Sequence, residues 1–246
     1  MISISGKEWK EYKTPKRLID KYSSDFNISE NLSKFYLTRN FNKEDILIKN
    51  ITNNNLNIFS NNKDFLLGTK MMIDIIKNKK KTLIVGDYDV DGISSITILS
   101  SFFRNIGHPF KYIIPDRFID GYGPNIRLLK QNLDQDIDNI IFLDCGSNSH
   151  DVISYLNSKK IKSIIVDHHI INNLDKPKSD VLINPNKNNH KFIEHNVCAA
   201  TLTFFFVDLI NKKLNSKFEL KDYFIFSMIS TICDLMPLRG FNRKIL

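Results

Sequence analysis

Asp87, Asp89 and Asp91 occupy alternate positions in Gly86-Asp87-Tyr88-Asp89-Val90-Asp91-Gly92, directly after the apolar run Leu83-Ile84-Val85. Three like charges crowded into one turn repel each other unless a cation sits among them. The usual partner for such a cluster is a divalent metal ion. Three further polar clusters follow: Pro115-Asp116-Arg117 with Gly121-Tyr122-Gly123, then Leu143-Asp144-Cys145-Gly146-Ser147, then Val166-Asp167-His168-His169. Carboxylates with imidazole and no thiolate suit Mn²⁺ or Mg²⁺ better than structural zinc, and the imidazole tilts the choice toward Mn²⁺. There are enough carboxylates for two ions, and two ions roughly 3.5–4 Å apart are a known device for phosphoester hydrolysis. Any one of these aspartates taken alone is better read as a helix N-cap, and any one histidine as structural. The joint pattern of clusters carries the metal reading.

Such residues must be brought together by the elements between them. Apolar strand-like runs cover Thr82–Val85, Tyr112–Ile114, Asn139–Leu143, Ser163–Val166 and Val181–Ile183. Helix-like segments separate them at Ile93–Ile106, Asn125–Leu133 and Val152–Lys159. Short continuous apolar strands alternating with helices predict an α/β fold, a parallel sheet with helices on both faces. In such a sheet ligands bind beyond the carboxyl ends of the strands, where all the clusters lie. Phe65–Lys80 predicts a helix with Phe65, Leu66, Met72, Ile73, Ile75 and Ile76 on its apolar face and cations at its C-terminal end. Two apolar helices, Ala199–Lys213 and Tyr223–Leu235, follow the last strand. Residues 1–64 are polar and Asn-rich and predict a mostly helical N-terminal cap or arm, with residues 65–246 as the main domain.

The chain carries 35 Lys+Arg against 27 Asp+Glu, a net charge of +8 that favours a polyanionic partner such as nucleic acid. No stretch approaches the roughly 20 apolar residues of a membrane span, and the first residues lack the apolar core of a signal peptide, so a cytoplasmic protein with no membrane partner is expected. Cys145, Cys198 and Cys233 have neither the number nor the spacing of a disulfide framework or zinc knuckle, and are expected to be small buried residues.

The ordered motifs resemble those of the DHH phosphoesterase superfamily, and within it the RecJ-type single-stranded-DNA exonucleases. The likeness runs through Gly86–Gly92, Ile114–Gly123, Leu143–Ser147, Asp167-His168-His169, Ile183-Asn184-Pro185-Asn186, Cys198-Ala199-Ala200 and Thr231–Leu238 with Asn242-Arg243. It implies metal ligation by Asp89, Asp91, Asp144, His168 and Asp234, with Asp144 bridging two ions and Asp87 as a further candidate ligand. It also implies that His169 faces the scissile phosphate and that Asp167 orients a histidine. Arg117 is a candidate phosphate clamp, because guanidinium matches phosphate geometry, or else a surface partner of Asp116 or Asp120. Tyr122 either binds substrate by stacking or packs its turn.

The resemblance further implies 5′→3′ hydrolysis of single-stranded DNA in repair and recombination, with repair or replication proteins as partners. Two departures stand out. Thr201 replaces the glycine usual after Cys-Ala-Ala, which questions a close helix approach there, and the DHHA1 and OB-fold domains that the resemblance places beyond this region are expected to be absent from these 246 residues. Two other functions fit the same residues: a phosphoesterase of small molecules or oligoribonucleotides, and a non-catalytic metal-binding remnant.

Overall fold

The structure, a computed structural model, describes residues 2, 4–8, 10–41, 43–46, 58–171, 177–187, 192 and 194–246. They fall into two compact units, residues 1–50 and residues 51–246.

The first unit holds α1 (Lys16–Phe26), α2 (Glu30–Thr38) and the short α3 (Lys43–Ile46). Ser29 caps α2 by accepting the Leu32 amide. Ser33 and Tyr36 are its buried residues, while Leu32 and Phe35 are exposed. The Tyr36 ring packs on Phe35 and Phe41.

The second unit is built on α4 (Lys63–Lys77), β1 (Lys81–Gly86), α5 (Val90–Asn105), β2 (Phe110–Ile113), α6 (Ile126–Asn132), β3 (Ile137–Leu143), α7 (His150–Ser158), β4 (Lys162–Val166), β5 (Val181–Ile183), α8 (Ala199–Leu214), α9 (Phe224–Cys233) and α10 (Gly240–Ile245). The sheet is parallel throughout, in the order β2-β1-β3-β4-β5. This is a doubly wound order whose switch point falls between β1 and β3. The strands alternate between two cores. Ile84, Ile141, Leu143, Ile164 and Ile183 face the larger one with α4, α5 and α8, while Leu83, Val85, Ile140, Phe142 and Ile165 face the smaller one with α6 and α7. The α/β sheet with helices on both faces follows from strands that are apolar at every position.

Some boundaries differ from those read in the sequence. β2 begins at Phe110, where the Pro109 carbonyl already accepts the Thr82 amide. As an edge strand with its middle residues exposed, it carries little apolar signal. The buried face of α4 is Phe65, Gly68, Thr69, Met72 and Ile75, and Leu66 is exposed. Gly68 lies against Phe206 of α8, so the smallest residue, not a large one, sets that contact. Thr201 is accommodated inside α8, buried with its hydroxyl 3.3 Å from Cys198 Sγ. Cys145 and Cys198 are buried, but Cys233, at the last residue of α9, is exposed. No described helix is long and apolar enough to cross a membrane.

Candidate metal centre

Three aspartates emerge side by side from the carboxyl edge of the sheet. The Asp87 amide donates to the Leu143 carbonyl (3.3 Å), the Asp144 amide to Val166 (2.9 Å) and the Asp167 amide to Ile183 (3.0 Å). Each extends the hydrogen-bond ladder one step past its own strand, so β1, β3 and β4 deliver their carboxylates at neighbouring strand spacings, about 4.8 Å apart. All three residues are buried. Asp144 has φ 60°, in the left-handed region that few side chains adopt.

The first acidic segment divides its labour. Asp89 caps α5, its Oδ1 accepting the amides of Asp91 and Gly92, both at 3.0 Å. The helix therefore starts at Val90, and Asp91 belongs to its first turn. Gly92 permits this start: a Cβ there would lie 2.6 Å from the Asp87 nitrogen and 2.7 Å from its carbonyl carbon. Asp91 is buried and turns toward the N-terminus of α8, where Oδ2 accepts the Ala199 amide (2.6 Å) and Oδ1 the Ala200 amide (2.8 Å). A carboxylate suits the positive end of a helix, so Asp91 docks α8 on the sheet.

Around these carboxylates three groups of potential ligands form: Asp87, Asp89 and Asp144; Asp144, His168 and His169; Asp91, His168 and Asp234. Within each group the ligand atoms lie within 4.8 Å of one another. Asp144 belongs to two groups and so does His168. His168 Nε2 stands 3.3 Å from Asp144 Oδ1, 3.4 Å from Asp234 Oδ2 and 3.6 Å from Asp91 Oδ2. Both Asp144 oxygens and His168 Nε2 are buried with no hydrogen-bond partner among the described residues. Leaving such groups unsatisfied costs free energy that a bound cation would recover, so the donor set fits a divalent metal. Burial pushes Asp144 well above the usual carboxylate range, and the charges of Asp91, Asp89 and Asp167 add to it. Burial also raises Asp87, Asp91 and Asp234.

Asp167 behaves differently. Its Oδ1 accepts the amides of His168 (2.7 Å) and His169 (3.1 Å) and lies 2.8 Å from His169 Nδ1, while Oδ2 accepts the Ser147 amide (3.0 Å). Burial alone would raise its pKa, but these hydrogen bonds and the His169 charge outweigh burial and hold it at about 2. The Asp167 carboxylate in turn raises the pKa of His169. On its other side, His169 Nε2 is 2.9 Å from the Tyr122 hydroxyl.

Arg117 makes neither anticipated ion pair. Its guanidinium lies over the Tyr88 ring, 5.5 Å from the centroid. Asp116 accepts the amides of Phe118 and Ile119, and Asp120 pairs with Arg127 at 2.6 Å. The structure thus gathers Asp87, Asp89, Asp91, Asp144, Asp167, His168, His169, Asp234 and Tyr122, and leaves Arg117 exposed beside the segment that carries Asp87 and Asp89. Ser147 went unassigned in the sequence. Its contact with Asp167 is made by its backbone amide, which any residue type supplies, and its hydroxyl meets Asn184, a partner 37 residues away that no local pattern reveals.

Several known proteins are similar to this chain in sequence or fold. The single-stranded-DNA-specific exonuclease RecJ of Haemophilus influenzae is 25% identical over 182 residues, covering 70% of this chain and 32% of the relative. The chain therefore spans about a third of the length of that curated relative. RecJ from Thermus thermophilus in complex with Mn²⁺ superposes with a TM-score of 0.70 at 20% identity, covering 94% of this chain and 32% of that one. An exonuclease RecJ structure bound to manganese gives a TM-score of 0.67 at 23% identity, over 75% of this chain and 46% of that one. At these identities the structural likeness establishes the fold. The family described as "DHH family, N-terminal domain" matches residues 81–231, a stretch that runs from β1 into α9 and includes every residue gathered at the centre except Asp234. The chain belongs to the DHH family.

Proposed function

We propose that the protein is a metal-dependent phosphodiesterase that hydrolyses single-stranded DNA, as its RecJ relatives are described to do. The observation that carries this reading is the sharing of Asp144 and His168 among three overlapping ligand groups, directly beside the Asp167–His169 pair. Asp87, Asp89 and Asp144 would hold one Mn²⁺ or Mg²⁺ ion, and Asp144, His168 and Asp234 a second. Asp91 contributes to the second site only with oxygens that already anchor α8. When bound, such ions acidify a water and neutralise charge on phosphoryl oxygens.

The chain's own groups do the rest. Asp167 stays ionised throughout the working pH range and holds the proton of His169 on Nδ1. This leaves Nε2, the nitrogen beside Tyr122, as the one that would face a phosphate, to which it donates in the imidazolium form that the Asp167 carboxylate favours. Tyr122 and Arg117 would line the strand's path, the first with an aromatic face and a hydroxyl, the second with a guanidinium. Action in DNA repair and recombination in the cytoplasm follows from this reading.

The test is hydrolysis of end-labelled single strands, duplexes and dinucleotides by the chain with Mn²⁺, against Asp144→Ala. Release of nucleotides from long single strands by the wild type alone supports the proposal, and the label position gives the polarity. Cleavage of dinucleotides only would instead favour a small-molecule phosphoesterase, and Mn²⁺ uptake without hydrolysis a binding role.

A further inference from the structure

Three strands that feed the centre are followed by an aspartate. The edge strand β5 is followed instead by an amide, Asn184, which is completely buried. Its Nδ2 donates to Ser147 Oγ at 2.7 Å and to the His169 carbonyl at 3.0 Å, and its Oδ1 accepts the Asn186 amide at 2.6 Å. The Asn186 side chain donates to the His168 carbonyl, and Asn148 Nδ2 to the Ile170 carbonyl at 2.9 Å.

Three successive carbonyls, those of His168, His169 and Ile170, are thus each gripped by a carboxamide. The segment after β4 is neither helix nor strand, so no ladder holds these carbonyls. A carbonyl needs a donor, and a fourth strand-end carboxylate would repel it; an asparagine supplies the N–H. Asn184 also closes a ring. It binds Ser147 Oγ, the Ser147 amide binds Asp167, Asp167 binds the His169 ring, and the His169 carbonyl returns to Asn184.

We propose that Asn184 and Asn186, with Asn148, are positioning residues that orient His168 toward the metals and His169 toward the phosphate before either arrives. The inference rests on the metal-centre reading above. It concerns the histidine backbone, however, and can be judged without metal.

The test uses the whole chain carrying Asn184→Asp or Asn186→Ala. Asn184→Asp keeps the acceptor for the Asn186 amide but sets a carboxylate against the His169 carbonyl. Imidazole ¹⁵N spectra of the metal-free protein should show the His168 and His169 signals shifted or broadened, with the fold retained. Calorimetry should show Mn²⁺ affinity reduced about 10–100-fold, the usual effect of removing an outer support of a metal ligand. Should the buried Asn184→Asp chain fail to fold, the exposed Asn186→Ala carries the test through His168. A folded Asn186→Ala chain with unchanged histidine signals and unchanged Mn²⁺ affinity overturns the proposal. If the wild type takes up no Mn²⁺, the metal-centre reading falls. The metal-free spectra then decide this one alone, shifted signals supporting it and unshifted signals overturning it.

Discussion

The Tyr122 hydroxyl lies 2.9 Å from His169 Nε2, while His169 Nδ1 lies 2.8 Å from Asp167. Both ring nitrogens of one histidine are therefore engaged, by a group from the loop after β2 and by one from the end of β4. The ionised Asp167 fixes which nitrogen holds the proton, and Tyr122 fixes the direction of the other.

Tyr122→Phe removes one hydrogen bond, worth about 1 kcal/mol, and keeps the aromatic face. Turnover on single-stranded DNA should fall about fivefold with KM little changed, whereas Tyr122→Ala should raise KM as well. His169→Ala should cost about 10²–10⁴-fold in turnover, the range for a positioned acid–base group. Steady-state rates at several strand concentrations separate these outcomes. A Tyr122→Phe enzyme with raised KM and normal turnover would place the hydroxyl on the strand instead.

Asp144→Asn should abolish Mn²⁺ uptake yet stabilise the metal-free chain by about 1–3 kcal/mol, because an isosteric amide replaces a buried, unpaired carboxylate. Asparagine also tolerates the φ of 60° at this position. Urea unfolding in EDTA and calorimetry with Mn²⁺ measure the two effects. Lower metal-free stability of Asp144→Asn would contradict the assignment.

The acidic groups predict opposite pH responses. Burial, then the neighbouring carboxylates, raises Asp144 above its ordinary value of 3.8, and burial raises Asp91 and Asp87 in the same direction. Their contribution is full below the ordinary value and is lost as pH climbs through the raised values. Asp167, held at about 2, works the other way: its contribution is present above 3.8 and lost as pH falls through about 2. Metal-free melting temperatures should therefore drop on both sides of a mildly acidic optimum. Because Mn²⁺ displaces protons from its ligands, the stabilisation it adds should grow as pH rises over the upper window. An increment that shrinks there would count against metal binding at these carboxylates.

Gly92→Ala should destabilise the chain by about 1–3 kcal/mol, since a Cβ meets the Asp87 backbone and something must shift. The displaced turn carries Asp87 and Asp89, so Mn²⁺ affinity should fall with stability. Thermal melts with and without Mn²⁺ test both. An alanine chain with unaltered Mn²⁺ affinity would show that the turn does not set the ligand geometry.

Much of the fold was legible because it rests on local signals. The runs around Ile84, Ile141 and Ile164 are apolar on both faces, as a doubly covered sheet demands, and all became strands. Leu66 misled because hydrophobicity does not say which face of α4 meets α8; the close approach at Gly68 decided that. The edge strand β2 was misplaced because its middle residues are exposed and carry little pattern.

The sequence by itself determined the chemical types, their order and, for all but Asp234, their place at strand ends, and so a candidate divalent-metal centre in a DHH-family sheet. Only the tertiary structure decided which of the similar acids does what. Asp91 is a helix anchor because the α8 amides, over a hundred residues away in sequence, arrive at its oxygens. The Asp144 carboxylate is left without hydrogen bonds among the described residues, and that of Asp167 is fully engaged, although each stands directly after a strand. The physical reason is that a carboxylate's role depends on which donors reach it. Those donors come from segments that only the folded sheet brings within hydrogen-bond distance.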